Sequence, residues 1–148
     1  MELRAATAAD GPRLERIVEA AYSGYIERIG MRPGPMDDDL RAQVDAGVVV
    51  VAIEEAGPVG LIVLIAAEDH LLIENVAVAP GRQGQGIGRA LLAHAEARAR
   101  ELGLPEVRLY THELMSENRA LYSRLGYGED ELRQEQGFAR VFMSKPLG

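Results

Sequence analysis

The sequence predicts a single α/β domain of the α+β kind, with one mixed, mostly antiparallel sheet of about six or seven strands flanked by about four helices. Three observations point there. Apolar, β-branched runs alternate with stretches whose apolar residues recur every three or four positions, in the order β-α-α-β-β-β-α-β-α-β-β. The runs 48–54 and 59–66 are separated only by Ala56-Gly57-Pro58, which reads as an antiparallel hairpin. Between the runs 71–79 and 107–111 lies a long helical stretch, so those two strands join by a crossover and run parallel.

Taken in order, Glu2 to Ala5 is a short edge strand. Thr7 and Asp10 form a capping box with Asp in place of Glu, opening a helix whose face is Leu14, Ile17, Val18 and Ala21. Pro12 sits in its first turn, where a missing N–H costs little. Tyr22, Tyr25, Ile26, Ile29 and Gly30 follow, then a loop from Met31 to Met36 in which prolines on both sides of Gly34 exclude continuous helix. Asp37 to Asp39 make the acidic first turn of a second helix ending near Ala46-Gly47.

After the hairpin, Glu68-Asp69 turns the chain into Leu71 to Ala79, an apolar strand interrupted only by Glu74 and Asn75. Pro80 to Gln85 is a turn. From Gly86 the positions Ile87, Leu91, Leu92 and Ala95 take up helical spacing, and the helix stops at Gly103, with Pro105 beyond. Val107 to Thr111 is the fifth strand. Ser116, as N-cap, opens a helix to Leu125 that Gly126 ends. The remainder, from Tyr127, holds a turn near Gln136-Gly137 and a strand from Ala139 to Met143.

Composition bounds the chemistry. A length of 148 residues suits one domain, and 47% apolar with 26% charged residues is the balance of a soluble globular protein. The absence of cysteine excludes disulfides, a thiolate nucleophile and Cys-ligated zinc. His70, His94 and His112 lack ligand spacing, so no metal is expected. The longest apolar run, Val48 to Ile53, is far short of a membrane span, and no signal-peptide pattern is present, so a cytoplasmic protein without membrane contact is expected. A net charge of −7 argues against a nucleic-acid surface and is compatible with a cationic substrate, although acidity also serves plain solubility.

The segment from Leu71 to Leu92 carries the main functional signal. Gly84, Gly86 and Gly88 let the backbone take φ > 0 and approach a bulky ligand. The first amides of the following helix lack intrahelical acceptors and lie at its positive end, which suits a phosphate or pyrophosphate. Arg82 and Arg89 flank the loop and can add charge. The glycines equally serve a tight strand-to-helix turn. No GxxxxGK[ST] motif is present, and a GxGxxG starting at Gly84 fails at Arg89.

Gln83 to Gly88, reading Q-G-Q-G-I-G after a strand ending Val-Ala-Val-x-Pro, resembles the acetyl-CoA-binding motif of the GNAT superfamily of N-acetyltransferases. Asn118 to Tyr127 is similar to the superfamily's asparagine-to-tyrosine region with slightly compressed spacing, and Tyr22 to Met36 looks like a loop of one subset of bacterial GNAT enzymes. The order of elements agrees with the GNAT fold, whose fourth and fifth strands are parallel and splay apart.

This resemblance implies direct acetyl transfer from acetyl-CoA to a primary amine of a small molecule or peptide in a ternary complex. An amine with a Lys-like pKa of about 10.4 must first lose a proton. The reaction also calls for oxyanion stabilisation and a proton for the leaving thiolate. By resemblance, Glu74 is the general base, with Glu113 in reserve, and Tyr122 the general acid. Each has a plainer reading: Glu74 at the sheet edge or paired with an Arg, and Tyr122 as core packing. The backbone of Val76, Ala77 and Val78 would pair with the pantetheine arm, and Asn118 would hydrogen-bond it. The loop Gln83, Gly84, Gln85, Gly86, Ile87, Gly88 and Arg89 would surround the pyrophosphate, with Gln83 standing where Arg is common. Tyr22, Tyr25, Pro33, Met36 and the segment His112 to Met115, including Glu113, would wall the acceptor pocket, unless they are core. A different class is a non-catalytic acyl-CoA-binding or regulatory module of the same fold. A homodimer stays open.

Overall fold

Sequence periodicity resolves into seven strands and five α-helices among the described residues, which in this computed structural model are all but Gln136, with the Asp37 side chain also set aside. The strands are β1 (Glu2–Ala5), β2 (Val49–Glu54), β3 (Gly57–Ala66), β4 (Leu71–Val78), β5 (Glu106–His112), β6 (Gly128–Glu135) and β7 (Phe138–Pro146). The helices are α1 (Gly11–Ser23), α2 (Ile26–Ile29), α3 (Leu40–Asp45), α4 (Ile87–Glu101) and α5 (Ser116–Arg124). Strand order is β1-β2-β3-β4-β5-β7-β6. The β4–β5 ladder is parallel, whereas β1–β2, β2–β3, β5–β7 and β7–β6 are antiparallel. The mixed fold and the parallel crossover are therefore as the sequence predicts. The extra helix is α2, a single turn closed by Gly30 at φ 87°.

The chain divides into two compact units. The first comprises Met1–Ile65 and Glu74–His94. Its first helix is introduced by the predicted capping box: Thr7 N–H donates to Asp10 Oδ2 at 2.9 Å, and Arg4 Nη1 donates to the same oxygen at 2.8 Å. A 3-10 turn, Ala8–Asp10, intervenes before α1, so the box caps that turn. Helix α1 buries Leu14, Ile17, Val18 and Tyr22, one stripe at helical spacing. Each such side chain stabilises by roughly 1.5–3 kcal/mol relative to exposure. Asp39 caps α3, its Oδ1 accepting from Ala42 N–H at 3.0 Å.

The hairpin turn is tighter than predicted. Only Glu55 and Ala56 lie outside the strands, and Gly57 and Pro58 pair with Glu54 and Ile53. The register shifts between Ala52 and Ile53, and that irregularity lets a proline without an N–H enter the ladder. Farther along β3, Gly60 allows a close approach. A Cβ built there would stand 3.1 Å from Ala77 O and 3.1 Å from Ile87 Cγ2.

The second unit comprises Ala66–Ile73 and Ala95–Gly148. Alternate residues Val107, Leu109 and Thr111 of β5 are buried. Tyr127 is also buried, its hydroxyl donating to Glu96 Oε2 at 3.2 Å, and Lys145 Nζ meets Glu96 Oε1 at 2.9 Å. Helix α5 ends before Gly126, at φ 98°. Ser116 is its first helical residue and does not cap it; Met115 holds the N-cap position with no side-chain hydrogen bond. The predicted turn at Gln136-Gly137 lies partly outside the described residues. Strand β7 is longer than the predicted 139–143 run.

The parallel ladder is short. Among the described residues, Leu71, Leu72 and Ile73 of β4 are registered against Val107, Arg108 and Leu109 of β5, and the other five of the eight residues of β4 lie beyond these pairs.

Candidate active site

In the first unit, β4 delivers the chain through a 3-10 turn, Pro80–Arg82, into the glycine loop and α4. Gly84 and Gly86 take φ 79° and 84°, a region that favours glycine, and beyond the adjoining residues no described atom lies within 4 Å of a Cβ placed on either. The backbone there is bare and open. Gly88 differs, facing Val78 Cγ2 at 3.7 Å. Ala90 N–H donates to Gly86 O at 3.0 Å as the helix begins, so the amides of Ile87, Gly88 and Arg89 precede that bond and lack intrahelical acceptors. They present donors and the positive helix end to an anion. Ile87 is buried and anchors the turn, while Gln83, Gln85 and Arg89 are exposed.

Two flanking arginines behave differently. Arg89 has no ion-pair partner among the described residues, whereas Arg82 is paired with Glu54 at the end of β2. Of the two cations that could serve the loop, Arg82 therefore already has a carboxylate partner, Glu54.

Burial along β4 alternates. Glu74, Val76 and Val78 lie on the half-buried face, and Asn75 and Ala77 on the buried one. Glu74 has no salt bridge among the described residues, so the alternative of an Arg partner has no support. Tyr22, on α1, is buried, and its hydroxyl lies 2.9 Å from Asn75 Oδ1 and 3.1 Å from Val76 O. Tyr25 is half-buried beneath the Arg28 guanidinium, 5.1 Å from the ring centroid. Met36 is half-buried and Pro33 buried.

The remaining candidates belong to the second unit. Tyr122 is buried on α5, its ring tilted against Tyr127 with centroids 6.3 Å apart. Asn118, half-buried, precedes it by one helical turn. Burial, reinforced by the Glu96 carboxylate, pushes the Tyr127 phenol far above its ordinary range, so this tyrosine stays protonated. His112 Nδ1 accepts from Leu114 N–H at 3.1 Å, and burial holds its pKa below the usual imidazole value. Glu113 is half-buried, its N–H donating to Ala139 O at 2.8 Å. Met115 is buried against Thr111 Oγ1.

The model of the acetyltransferase (GNAT) domain matches residues 45–129, more than half of the chain. The chain belongs to the GNAT acetyltransferase family. The streptothricin acetyltransferase of Streptomyces lavendulae is 39% identical to this GNAT chain over 84 residues, which are 52% of the chain. The chain spans only 44% of that relative's length. Among solved structures, the PaiA N-acetyltransferase of Thermoplasma acidophilum, in complex with coenzyme A, superposes with a TM-score of 0.82 at 18% identity, over 99% of this chain and 98% of that one. A nourseothricin acetyltransferase gives 0.63 at 28% identity, over 66% and 64%. The likeness to the Thermoplasma protein shows the fold. No helix among the described residues of this GNAT chain is long and apolar enough to cross a membrane.

Three residues escape a reading of the sequence. Asn75 shows there as a polar interruption, but its partner Tyr22 is 53 positions away. Gly60 is a glycine inside a strand, a sign of close backbone approach. Glu54, the partner of Arg82, carries no motif at all.

Proposed function

We propose that this GNAT domain transfers an acetyl group from acetyl-CoA to a primary amine by direct attack in a ternary complex. The observation that carries the reading is the bare glycine loop at the start of α4, continuous with a β4 whose ladder to β5 stops at Ile73. The fit is chemical: amides without acceptors, an exposed Arg89 and two glycines with open space suit a pyrophosphate. Bound acetyl-CoA supplies the acyl group as an activated thioester.

The chain's own residues then have these parts. Gln83 to Arg89 hold the phosphates, and the main chain of Val76, Ala77 and Val78 lies along the pantetheine arm. Asn118 hydrogen-bonds the same arm. Glu74 takes a proton from the acceptor ammonium, directly or through water, since it has a carboxylate on the half-buried face and no competing cation. Tyr122 returns a proton to the departing sulfur. Tyr25, Met36, His112 and Glu113 face the acceptor, and the Tyr22 hydroxyl is engaged by Asn75 and Val76.

The acceptor class is a small-molecule or peptide amine, and the names of two relatives make streptothricin and nourseothricin the first compounds to assay. Free-thiol release from acetyl-CoA over an amine panel, with thermal shift by acetyl-CoA alone, tests the reading. Binding with thiol release supports it. Binding without release from any amine would favour a non-catalytic acyl-CoA-binding module, and neither would remove the cofactor altogether.

A further inference from the structure

Ala79 N–H, one residue past β4, donates to Val59 O on β3 at 2.9 Å. Both main-chain groups of a strand residue point to one edge, and the edge alternates at every residue. Ala77 and Asn75 therefore face β3, and the N–H and C=O of Val76 face the opposite edge. That is the edge on which the β5 ladder has stopped three residues earlier, at Ile73. One of these two groups is taken, because Tyr22 Oη lies 3.1 Å from Val76 O.

The hydroxyl carries one proton and meets two oxygens, Asn75 Oδ1 at 2.9 Å and Val76 O at 3.1 Å. The two ends of an amide group are nearly isosteric. With Nδ2 turned to the hydroxyl, both contacts become hydrogen bonds: Asn75 donates to Tyr22, and Tyr22 donates to the Val76 carbonyl. Both side chains are buried, Asn75 at 4% exposure and Tyr22 at 8%, so water competes little for these bonds.

From this chain of bonds we infer that Tyr22 is a positioning residue for the proposed transfer. It fixes the peptide plane between Val76 and Ala77 and occupies the Val76 carbonyl, leaving the Val76 N–H as the group that this residue offers a ligand. The free part of β4 becomes a donor at that point, suited to an acyl oxygen and closed to a ligand N–H. A freely rotating peptide would offer either group and lose the alignment that oxyanion stabilisation needs. This inference rests on the proposed acetyl transfer for its chemical meaning, but the hydrogen bond itself is testable without ligand.

Tyr22→Phe is the test. In the ligand-free protein, the Val76 carbonyl ¹³C resonance should move upfield on loss of the hydroxyl. With acetyl-CoA and an accepted amine, kcat should fall about tenfold while the Kd of acetyl-CoA changes less than about threefold, a split that simple loosening of the fold does not give. An unmoved Val76 carbonyl overturns the proposal, as does kcat within about twofold of wild type in an active enzyme. If the variant does not fold, the wild-type Tyr22 hydroxyl proton decides. A slowly exchanging proton with a nuclear Overhauser contact to the Asn75 amide supports the network, and a rapidly exchanging one overturns it. A wild-type protein that neither binds acetyl-CoA nor releases thiol refutes the transferase reading, whatever the carbonyl reports.

Discussion

Gly60 on β3 lies directly under Ile87, the first residue of α4, and a Cβ at position 60 would come within 3.1 Å of the Ile87 side chain. The same atom would stand 3.1 Å from the Ala77 carbonyl, which belongs to backbone and cannot turn aside. The missing side chain thus sets how closely the phosphate loop can sit on the sheet. Gly60→Val should lower stability by about 1–3 kcal/mol through overpacking. It should also weaken acetyl-CoA binding, because the helix start must lift. Denaturant unfolding and a cofactor titration check both, and unchanged binding in a folded variant would detach the loop from this contact.

Gly86→Val places a β-branched side chain at φ 84°, where the backbone strain is of the order of 1–3 kcal/mol. The space above is open, so the cost is conformational and local. The domain should remain folded and lose acetyl-CoA affinity by more than about tenfold, as the amides of the loop turn away from the phosphates. Thermal shift with acetyl-CoA, compared with wild type, reports the loss.

Arg89→Ala should weaken acetyl-CoA binding severalfold, and the difference from wild type should shrink at high salt, as expected for an exposed cation facing an anion. Arg82→Ala should affect binding less, because Glu54 already engages that guanidinium. Calorimetric titration of the two variants at low and high salt distinguishes them. Equal losses would mean that Arg82 leaves Glu54 when ligand arrives.

Tyr122→Phe keeps the ring against Tyr127 and removes the hydroxyl. An acid role predicts a kcat lower by about 10²-fold with little change in cofactor binding. Full turnover by a folded variant would leave Tyr122 as packing.

Asp10 offers a stability test remote from the site. The hydrogen bond from Arg4 holds its carboxyl down to about 2, from an ordinary value of 3.8, helped by the Thr7 backbone. With the folded value below the unfolded one, the stabilisation is present above about pH 4 and drains away as pH falls towards 2. Asp10→Asn should cost on the order of 1 kcal/mol at neutral pH, allowing for the half-exposed guanidinium, and should flatten the acid limb of a Tm-against-pH curve. Identical limbs for variant and wild type would refute this linkage.

What the sequence makes legible follows its physics. β4, the loop and α4 stand out because the apolar period changes from two to about 3.6 residues across glycines that need φ > 0. The hairpin boundary is obscured because Gly57 and Pro58 look like turn residues, yet an irregular register admits them to β3. Strand β6 is counted in the predicted order but its bounds are obscured for another reason: its residues, GEDELRQE, are almost all exposed, and an exposed edge strand carries charges in place of an apolar alternation. Among the site residues, positions borne by motif spacing can be named in advance. The bonds of Tyr22 and the pairing of Arg82 cannot, since both join segments distant in sequence that meet only when the sheet forms.

Lys145 is the chain's one lysine, and its ammonium is engaged by Glu96 above the face of Tyr127, 5.8 Å from the ring centroid. A protein proposed to acylate amines therefore keeps its own lysine nitrogen tied up as an ion pair. Self-modification at that side chain should contribute little background to a thiol-release assay, and lysine-directed labels should leave it largely untouched.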